Sequence, residues 1–432
     1  MSIKKQAISG VKWTSSSSFF SMGAQLIKIS VLTRFLEKSD FGLVAIVGII
    51  LGFTNLFVDM GISSAILHKQ NISKNEYNSL YWFNIFFSLL LYVLIFFSAP
   101  YIADFYKQDL LKILIPLMGL TIILSALGRQ FKVIEQKNLN FKLISIVNII
   151  SLMISISVAI ILAIKGYKVF SLVYSALATQ IFTNFFFLSR AILQRRIQFH
   201  FYLPETKPFL KIGIYQVGGQ IINYFNRDLD VLIIGKFFGA EILGGYDLAK
   251  KLTVRPIQMI NPILSKVGAP VLAKFNTDKE KLKLNYLKLV KTISSLNFLI
   301  YLLVFIFAPY IVSILYGNKY LDITILVRIL SIYMFLRSIA NPIGSLVIAT
   351  GRTDLEFYWN LFSFIITPIV LIIASTYSIK VVALSLVLLM ILYQYPFWAF
   401  IIKKTLKISF MEYMKSIMPS FKYIFKLIKK FT

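Results

Sequence analysis

Cysteine is absent from the 432 residues, which excludes disulfides and thiolate metal sites and leaves the redox compartment open. Histidine is nearly absent, with two copies. His68 and His200 fall in separate polar breaks, and metal sites usually need three or more converging donors, so neither points to a metal. Acid is scarce as well: 18 Asp and Glu face 46 Lys and Arg, a formal charge of +28. A basic surplus is the electrostatic footprint of phosphate binding in nucleic-acid proteins. Here the basic residues sit mainly in short breaks and tails, and no soluble stretch remains to carry a nucleic-acid module, which argues against nucleic acid as a partner. The string GKFFGAE, 235–241, lacks the residue order of a phosphate loop. No nucleophile, base and orienter set is visible either, so the sequence reads as a protein without catalytic residues or cofactor.

What the chain has in abundance is apolar sequence, 58% of residues against 15% charged. A helix needs roughly 20 mostly apolar residues to cross a bilayer, and such runs follow one another with short polar breaks. Stretches such as FNIFFSLLLYVLIFF, 83–97, do not alternate polar and apolar, which excludes a membrane β-barrel. The sequence therefore predicts an all-α integral membrane protein with about twelve transmembrane helices. The spans fall near 13–34, 41–67, 79–99, 110–128, 143–164, 169–189, 212–235, 242–265, 287–308, 322–349, 357–376 and 381–402. The opening MSIKKQAISGVKW carries basic residues ahead of an apolar run without a cleavage site, and it reads as the start of an uncleaved first helix.

An even number of spans puts both termini on one side. Breaks on that side, including Arg129, Lys132, Lys137 and the lysines of 266–291, carry roughly three times the basic residues of the opposite breaks, so both termini are expected to be cytoplasmic. FFSAPYI at 96–102 returns as FIFAPYI at 305–311, and RFLEKSDFG at 34–42 is echoed by KFFGAEILG at 236–244. Two echoes in the same order imply two six-helix lobes in the same orientation, enclosing a central cavity. The expected divisions are an N-terminal lobe, 1–200, a C-terminal lobe, 201–402, and a basic amphipathic tail, 403–432. The charged, proline-bearing break 190–211 serves as the linker. The tail suits an interfacial helix on anionic lipid or a partner-binding segment.

Ionisable groups inside spans cost a few kcal/mol each, so they face water or one another. In YQVGGQIINYFNRDLD, 215–230, Gln216, Gln220, Asn223, Arg227 and Asp230 recur at helical spacing and form one polar face. Lys28, Asp59, Asp228, Asp247, Lys250, Lys251, Arg255, Arg328 and Arg337 add to the charge inside spans. Arg227 with Asp230, or Asp247 with Lys250 or Lys251, could cancel as local pairs. Lys28, Arg255, Arg328 and Arg337 have no acid at helical spacing in their own segments, although the last two could snorkel to a membrane face. A cationic lining of Lys28, Arg227, Lys251, Arg255, Arg328 and Arg337 suits an anionic substrate, and Asp59, Asp228 and Asp230 are candidates for carrying a coupling ion.

Two stretches resemble a known family. LTRFLEKSDFGLVAIVGIILGFTNLFVDMGISSAILHKQNISKNEYNSLYWFN, 32–84, is similar to the N-terminal region of polysaccharide transporters of the multidrug/oligosaccharidyl-lipid/polysaccharide exporter superfamily. The run from Asp228 to Phe275 is similar to the start of their second lobe: Asp230, Ile234 and Gly235, then Leu243, Gly244, Tyr246, Leu248 and Ala249, then Pro256. Asp247, beside Tyr246, departs from the small or polar residues common there. The resemblance is to the Wzx-type flippase branch. It implies an alternating-access carrier of a polyprenyl-pyrophosphate-linked glycan in the cytoplasmic (inner) membrane of a bacterium, in contact with membrane lipids and with a polysaccharide polymerase and chain-length regulator as partners. Under that implication Gln216, Gln220, Asn223 and Tyr224 line the sugar. The rival within the superfamily is an ion-coupled small-molecule exporter. A membrane polymerase or glycosyltransferase fits less well, because every outer break is short.

Overall fold

The structure is a computed structural model that describes residues 3–69 and 71–420, with the side chains of all of these except 3–7, 212–216 and 260–267. Among the described residues all regular structure is helical. The first six long helices are α1 (Ile3–Leu32), α2 (Lys38–His68), α3 (Lys74–Tyr106), α4 (Leu111–Lys137), α5 (Phe141–Ile164) and α6 (Val169–Leu193). Continuous helix then runs Leu203–Ala273, broken at Gly239, whose φ of 78° and ψ of 179° suit only glycine. The break separates α7 (203–238) from α8 (240–273). Next come α9 (Lys279–Ile306), a short connecting helix Ala308–Tyr316, α10 (Asn318–Thr350), α11 (Thr353–Ser375), α12 (Ile379–Leu406) and α13 (Phe410–Ile417).

Nine of these helices are long and apolar enough to cross a membrane among the described residues. The three other expected spans, 13–34, 212–235 and 242–265, lie on α1 and on the two arms of Leu203–Ala273. Local chemistry sets several ends. Ser73 and Glu76 form a reciprocal capping box that starts α3, and Lys107 in the left-handed region ends it. Helix α2 turns at Met60 and Gly61, with φ of 41° and 69°.

Packing inside the units follows membrane rules. The buried face of α5 is Ser145, Val147, Ser151, Ser155, Ala159 and Ala163, small residues that let neighbours approach, while Ile150, Met153 and Ile161 point outward. Gly128 of α4 lies against the backbone of Asn184 on α6, where a Cβ would collide.

Contacts divide the chain into two compact units. Unit 1 is Met1–Tyr224 with Gly239–Gly244 and Leu315–Gly317; unit 2 is Phe225–Phe238, Gly245–Ile314 and Asn318–Thr432. The division at 224/225 falls later than the expected boundary at 200/201 because the linker is strapped to α3. Gln198 N–H donates to Asn78 Oδ1 (2.7 Å), Trp82 Nε1 donates to the Gln198 carbonyl (3.0 Å), and Ser79 Oγ donates to Glu205 (2.6 Å).

The two echoes behave differently. Pro100 of FFSAPYI sits inside continuous helix, whereas FIFAPYI spans the break between α9 and Ala308–Tyr316. Within unit 1 the segments 34–42 and 239–244 pack on each other: a Cβ on Gly42 would strike the Ala240 carbonyl, and one on Gly244 the Lys38 carbonyl. These glycines are needed for backbone approach.

The tail is partly docked. In α13, Tyr413 is buried in the unit 2 core, Lys291 Nζ of α9 donates to the Lys415 carbonyl (3.0 Å), and Lys283 pairs with Glu412 (3.0 Å). Ser294 Oγ also donates to the Ile417 carbonyl. Residues 410–417 thus place Tyr413 and Ile417 in the unit 2 core, while Met411 and Met418 stay exposed. Residues 421–432 of the expected tail lie outside those described.

Candidate functional site

In unit 1, Lys28 of α1 reaches two hydroxyls on other helices: Nζ donates to Ser155 Oγ on α5 (2.9 Å) and to Ser175 Oγ on α6 (2.8 Å). Both serines belong to the small-residue packing faces of their helices, so the narrow packing that small residues permit also lets a lysine be solvated by hydroxyl dipoles.

A second polar line crosses unit 1. Arg129 of α4 donates to Asn55 Oδ1 on α2 (3.1 Å) and to Ser125 Oγ (3.2 Å), with Asp59 farther away at 3.9 Å. Asp59 also accepts from Ser63 Oγ. Lys132, one turn beyond Arg129 and within its coulombic reach, donates to Asn148 Oδ1 on α5 (3.0 Å). The line Asn55–Asp59–Arg129–Lys132–Asn148 therefore holds two cations for one carboxylate, and its other partners are neutral.

Unit 2 handles charge differently. Lys250 of α8 is buried and donates to Asp230 Oδ1 (2.7 Å), the Arg227 carbonyl (2.9 Å) and Asp228 Oδ1 (3.4 Å). Asp230 Oδ1 also accepts from the Val231 N–H (3.0 Å), and its Oδ2 accepts from Tyr246 O–H (2.5 Å). Arg227 Nε pairs with the outer oxygen of Asp228 (2.7 Å). Arg337 of α10 donates to Tyr333 O–H (3.2 Å) and lies within coulombic reach of Asp228 and Asp230.

Of the local pairs weighed from the sequence, Asp247 with Lys251 forms, at 2.6 Å. Arg227 bonds Asp228 rather than Asp230, and Lys250 turns to the α7 acids rather than to Asp247. The polar face of α7 is split: Gln220, Asn223 and Arg227 are exposed, whereas Asp230 is turned inward. Tyr224, expected on a sugar-lining face, is buried; its O–H donates to the Ile49 carbonyl (2.7 Å) and its ring leans on Phe53. That packing takes it out of reach of a ligand. The Gln216 side chain lies outside those described. Arg328 donates to the Phe305 carbonyl (3.3 Å) and sits over that ring, and Arg255 is half-buried on α8. Among the described residues, no cluster of three or more His, Asp or Glu is arranged to hold a metal.

Comparison with known proteins places the chain. A family model described as "Polysaccharide biosynthesis protein" matches residues 31–325. The chain belongs to this family. It is 30% identical to lipopolysaccharide biosynthesis protein WzxC of Escherichia coli (strain K12), over 96% of this chain and 85% of the relative. It is 28% identical to teichuronic acid biosynthesis protein TuaB of Bacillus subtilis (strain 168), over 96% and 86%. Among solved structures it shares its fold with the lipid II flippase MurJ in an inward closed conformation, with a TM-score of 0.76, 16% identity and coverage of 94% and 90%. It also resembles an inward-facing multidrug resistance MATE family transporter, with a TM-score of 0.68, 13% identity and coverage of 89% and 95%. This member of the polysaccharide biosynthesis family is thus an all-α, multi-pass membrane protein with a transporter fold.

Within this family member, sequence reasoning overlooked the α4 pair. The apolar run ends near 128, which puts Arg129 and Lys132 in a break by hydropathy, yet α4 continues to Lys137. A signal was present: Ser125, Arg129, Lys132 and Gln136 recur at spacings of four, three and four, the same pattern that marks α7. Tyr246 and the two serines around Lys28 had no comparable signal.

Proposed function

We propose that the protein moves a polyprenyl-pyrophosphate-linked oligosaccharide across the bacterial cytoplasmic membrane by alternating access, as a carrier rather than an enzyme. The observation that carries this reading is the cation surplus of the α2–α4–α5 line in unit 1, where Arg129 and Lys132 are held largely by neutral amides and hydroxyls. A pyrophosphate cannot enter hydrocarbon unaided, because its lost hydration must be replaced. Fixed cations held by neutral groups can supply that replacement through charge-assisted hydrogen bonds. Cations already bound to carboxylates supply much less.

The names of WzxC and TuaB, both biosynthesis proteins of surface polysaccharides, and the lipid-carrier substrate in the name of MurJ support the same substrate class. The basic bias of the breaks supports cytoplasmic termini. A polymerase and a chain-length regulator would act on the delivered unit. For coupling, Asp59 is the best placed acid, since its contact with Arg129 is long, while both oxygens of Asp230 are occupied.

The test uses a strain whose chromosomal copy is replaced by Lys28→Met or Arg129→Gln. Surface polysaccharide is expected to fall at least about tenfold, the equivalent of about 1.4 kcal/mol, with membrane levels of the protein unchanged. Wild-type amounts of polymer in both variants would refute the reading.

A further inference from the structure

Lys132 stands beside a feature that the charged residues leave unexplained. A groove of about 200 Å³ opens between α1, α4 and α5, with Thr14, Ser17, Gln136, Phe141, Ser145 and Asn148 on its walls. Its chemistry is neutral. Among the described residues no protein group takes up the side-chain hydroxyls of Thr14, Ser17 and Ser145 or the amide of Gln136. Ser17 and Ser145 are buried along their flanks, yet neither oxygen is sealed from the groove. Ser18, the neighbouring serine, is turned back onto the Thr14 carbonyl of its own helix (2.8 Å) and drops out of the count.

The remaining contacts make the groove directional. Lys132 donates to Asn148 Oδ1 (3.0 Å), which turns the Asn148 NH₂ group into a donor with a set orientation. Phe141 adds an aromatic side chain to the wall among these hydroxyls and amides. Three hydroxyls, two amides and one aromatic side chain in a space the size of a single pyranose match a sugar, whose hydroxyls both donate and accept and whose ring carries an apolar C–H face. They do not match a phosphate, which would draw cations to the wall. Unpartnered polar groups on buried residues such as Ser17 and Ser145 are costly unless a ligand or water completes them.

We propose that this groove binds one sugar of the transported glycan. The proposal rests on the substrate class given above and adds a recognition element in unit 1. Lys132 joins the two functions, since it lies within coulombic reach of Arg129 and orients Asn148. The sugar bound here is accordingly one close to the pyrophosphate.

The experiment measures binding to the purified full-length protein in lipid nanodiscs with two probes: bare undecaprenyl pyrophosphate, and the oligosaccharide-bearing carrier extracted from cells that lack this protein. Wild type is expected to prefer the oligosaccharide-bearing lipid. The double variant Thr14→Val, Gln136→Leu, at two exposed positions where folding is not at stake, should lose about tenfold of that preference, as two net hydrogen bonds predict, with affinity for the bare lipid unchanged. An unchanged preference in the variant, or equal binding of the two probes by wild type, overturns the groove and leaves the carrier reading standing. Loss of bare-lipid binding in a variant of unaltered melting temperature assigns these residues to the pyrophosphate and also overturns it. Failure of wild type to bind either probe sinks both readings together.

Discussion

Lys28 of unit 1 and Lys250 of unit 2 are both lysines drawn into a helix bundle, and they are settled by opposite chemistry. Lys28 is met by the hydroxyls of Ser155 and Ser175. Lys250 is met by Asp230 at 2.7 Å and Asp228 at 3.4 Å, with the Arg227 carbonyl completing its shell. Arg129 and Lys132 repeat the first pattern; Lys251 on Asp247 repeats the second. Hydroxyls and amides solvate a charge without cancelling it, whereas a carboxylate in a low-dielectric setting cancels it at close range. Arg129 and Lys132 are thus held mainly by neutral groups, whereas Lys250 ties α8 to the acids of α7.

The largest expected effect comes from breaking the cancelled cluster. Lys250→Met leaves the buried Asp230 without its cation, which typically costs about 3–5 kcal/mol, and it should appear as a lowered melting temperature and poor recovery from the membrane. Lys28→Met deprives Ser155 and Ser175 of a donor. Its cost should stay near about 1 kcal/mol, the scale of one or two neutral hydrogen bonds, while transport falls. Equal destabilisation of the two variants in thermal unfolding would erase the contrast between the units.

A smaller effect sharpens what holds unit 1 together apart from charge. Gly244→Ala would drive a methyl group into the Lys38 carbonyl, backbone that cannot swing aside. Overpacking of this kind costs about 1–3 kcal/mol. Gly218→Ala, where the added methyl meets nothing, should leave the melting temperature unchanged or slightly raised.

The smallest effect lies at the edge of unit 2, where charge pairing reaches the surface. The Ser409 backbone N–H, followed by the Lys283 ammonium, holds the exposed Glu412 carboxyl below its ordinary range. A carboxyl whose pKa is lowered in the folded state stabilises it above the ordinary glutamate value, and that contribution fades as pH falls through the lowered value. The protection of the 410–417 amides, corrected for the intrinsic exchange rate at each pH, should accordingly fall on acidification below the usual carboxylate range, and Lys283→Met should narrow the difference between neutral and acid pH. Protection in this segment that is indifferent to pH would show that α13 is held by Tyr413 and its apolar neighbours alone.

Parts of this picture were legible from the chain. The apolar runs located the helices, and the resemblance at 32–84 and 228–275 pointed to the family that comparison then showed. The glycines in the echo of 34–42 and 236–244 were visible as a repeat, but their reason was not, since each lies against the backbone of the other segment. The candidate site was legible only in part. Helical spacing picked out Lys28 and Arg227 but set Arg129 and Lys132 in a loop, because hydropathy drops before α4 ends. The family resemblance put Tyr224 along the sugar, where the structure finds it buried with its hydroxyl donating to the Ile49 carbonyl.

The amino-acid sequence alone determined that this is a bundle of membrane helices, because backbone in hydrocarbon must satisfy its own hydrogen bonds and long apolar runs can do so only as helices. The ionisable residues within those apolar runs also determined that charge would have to be accommodated inside. Which cations are cancelled and which stay available was decided by the tertiary structure. The acids that meet Lys250 lie 20 and 22 residues away across a helix break, and the serines that meet Lys28 lie 127 and 147 residues away. Helical periodicity relates a residue only to its neighbours three and four positions along, so partners brought together by packing leave no trace in spacing.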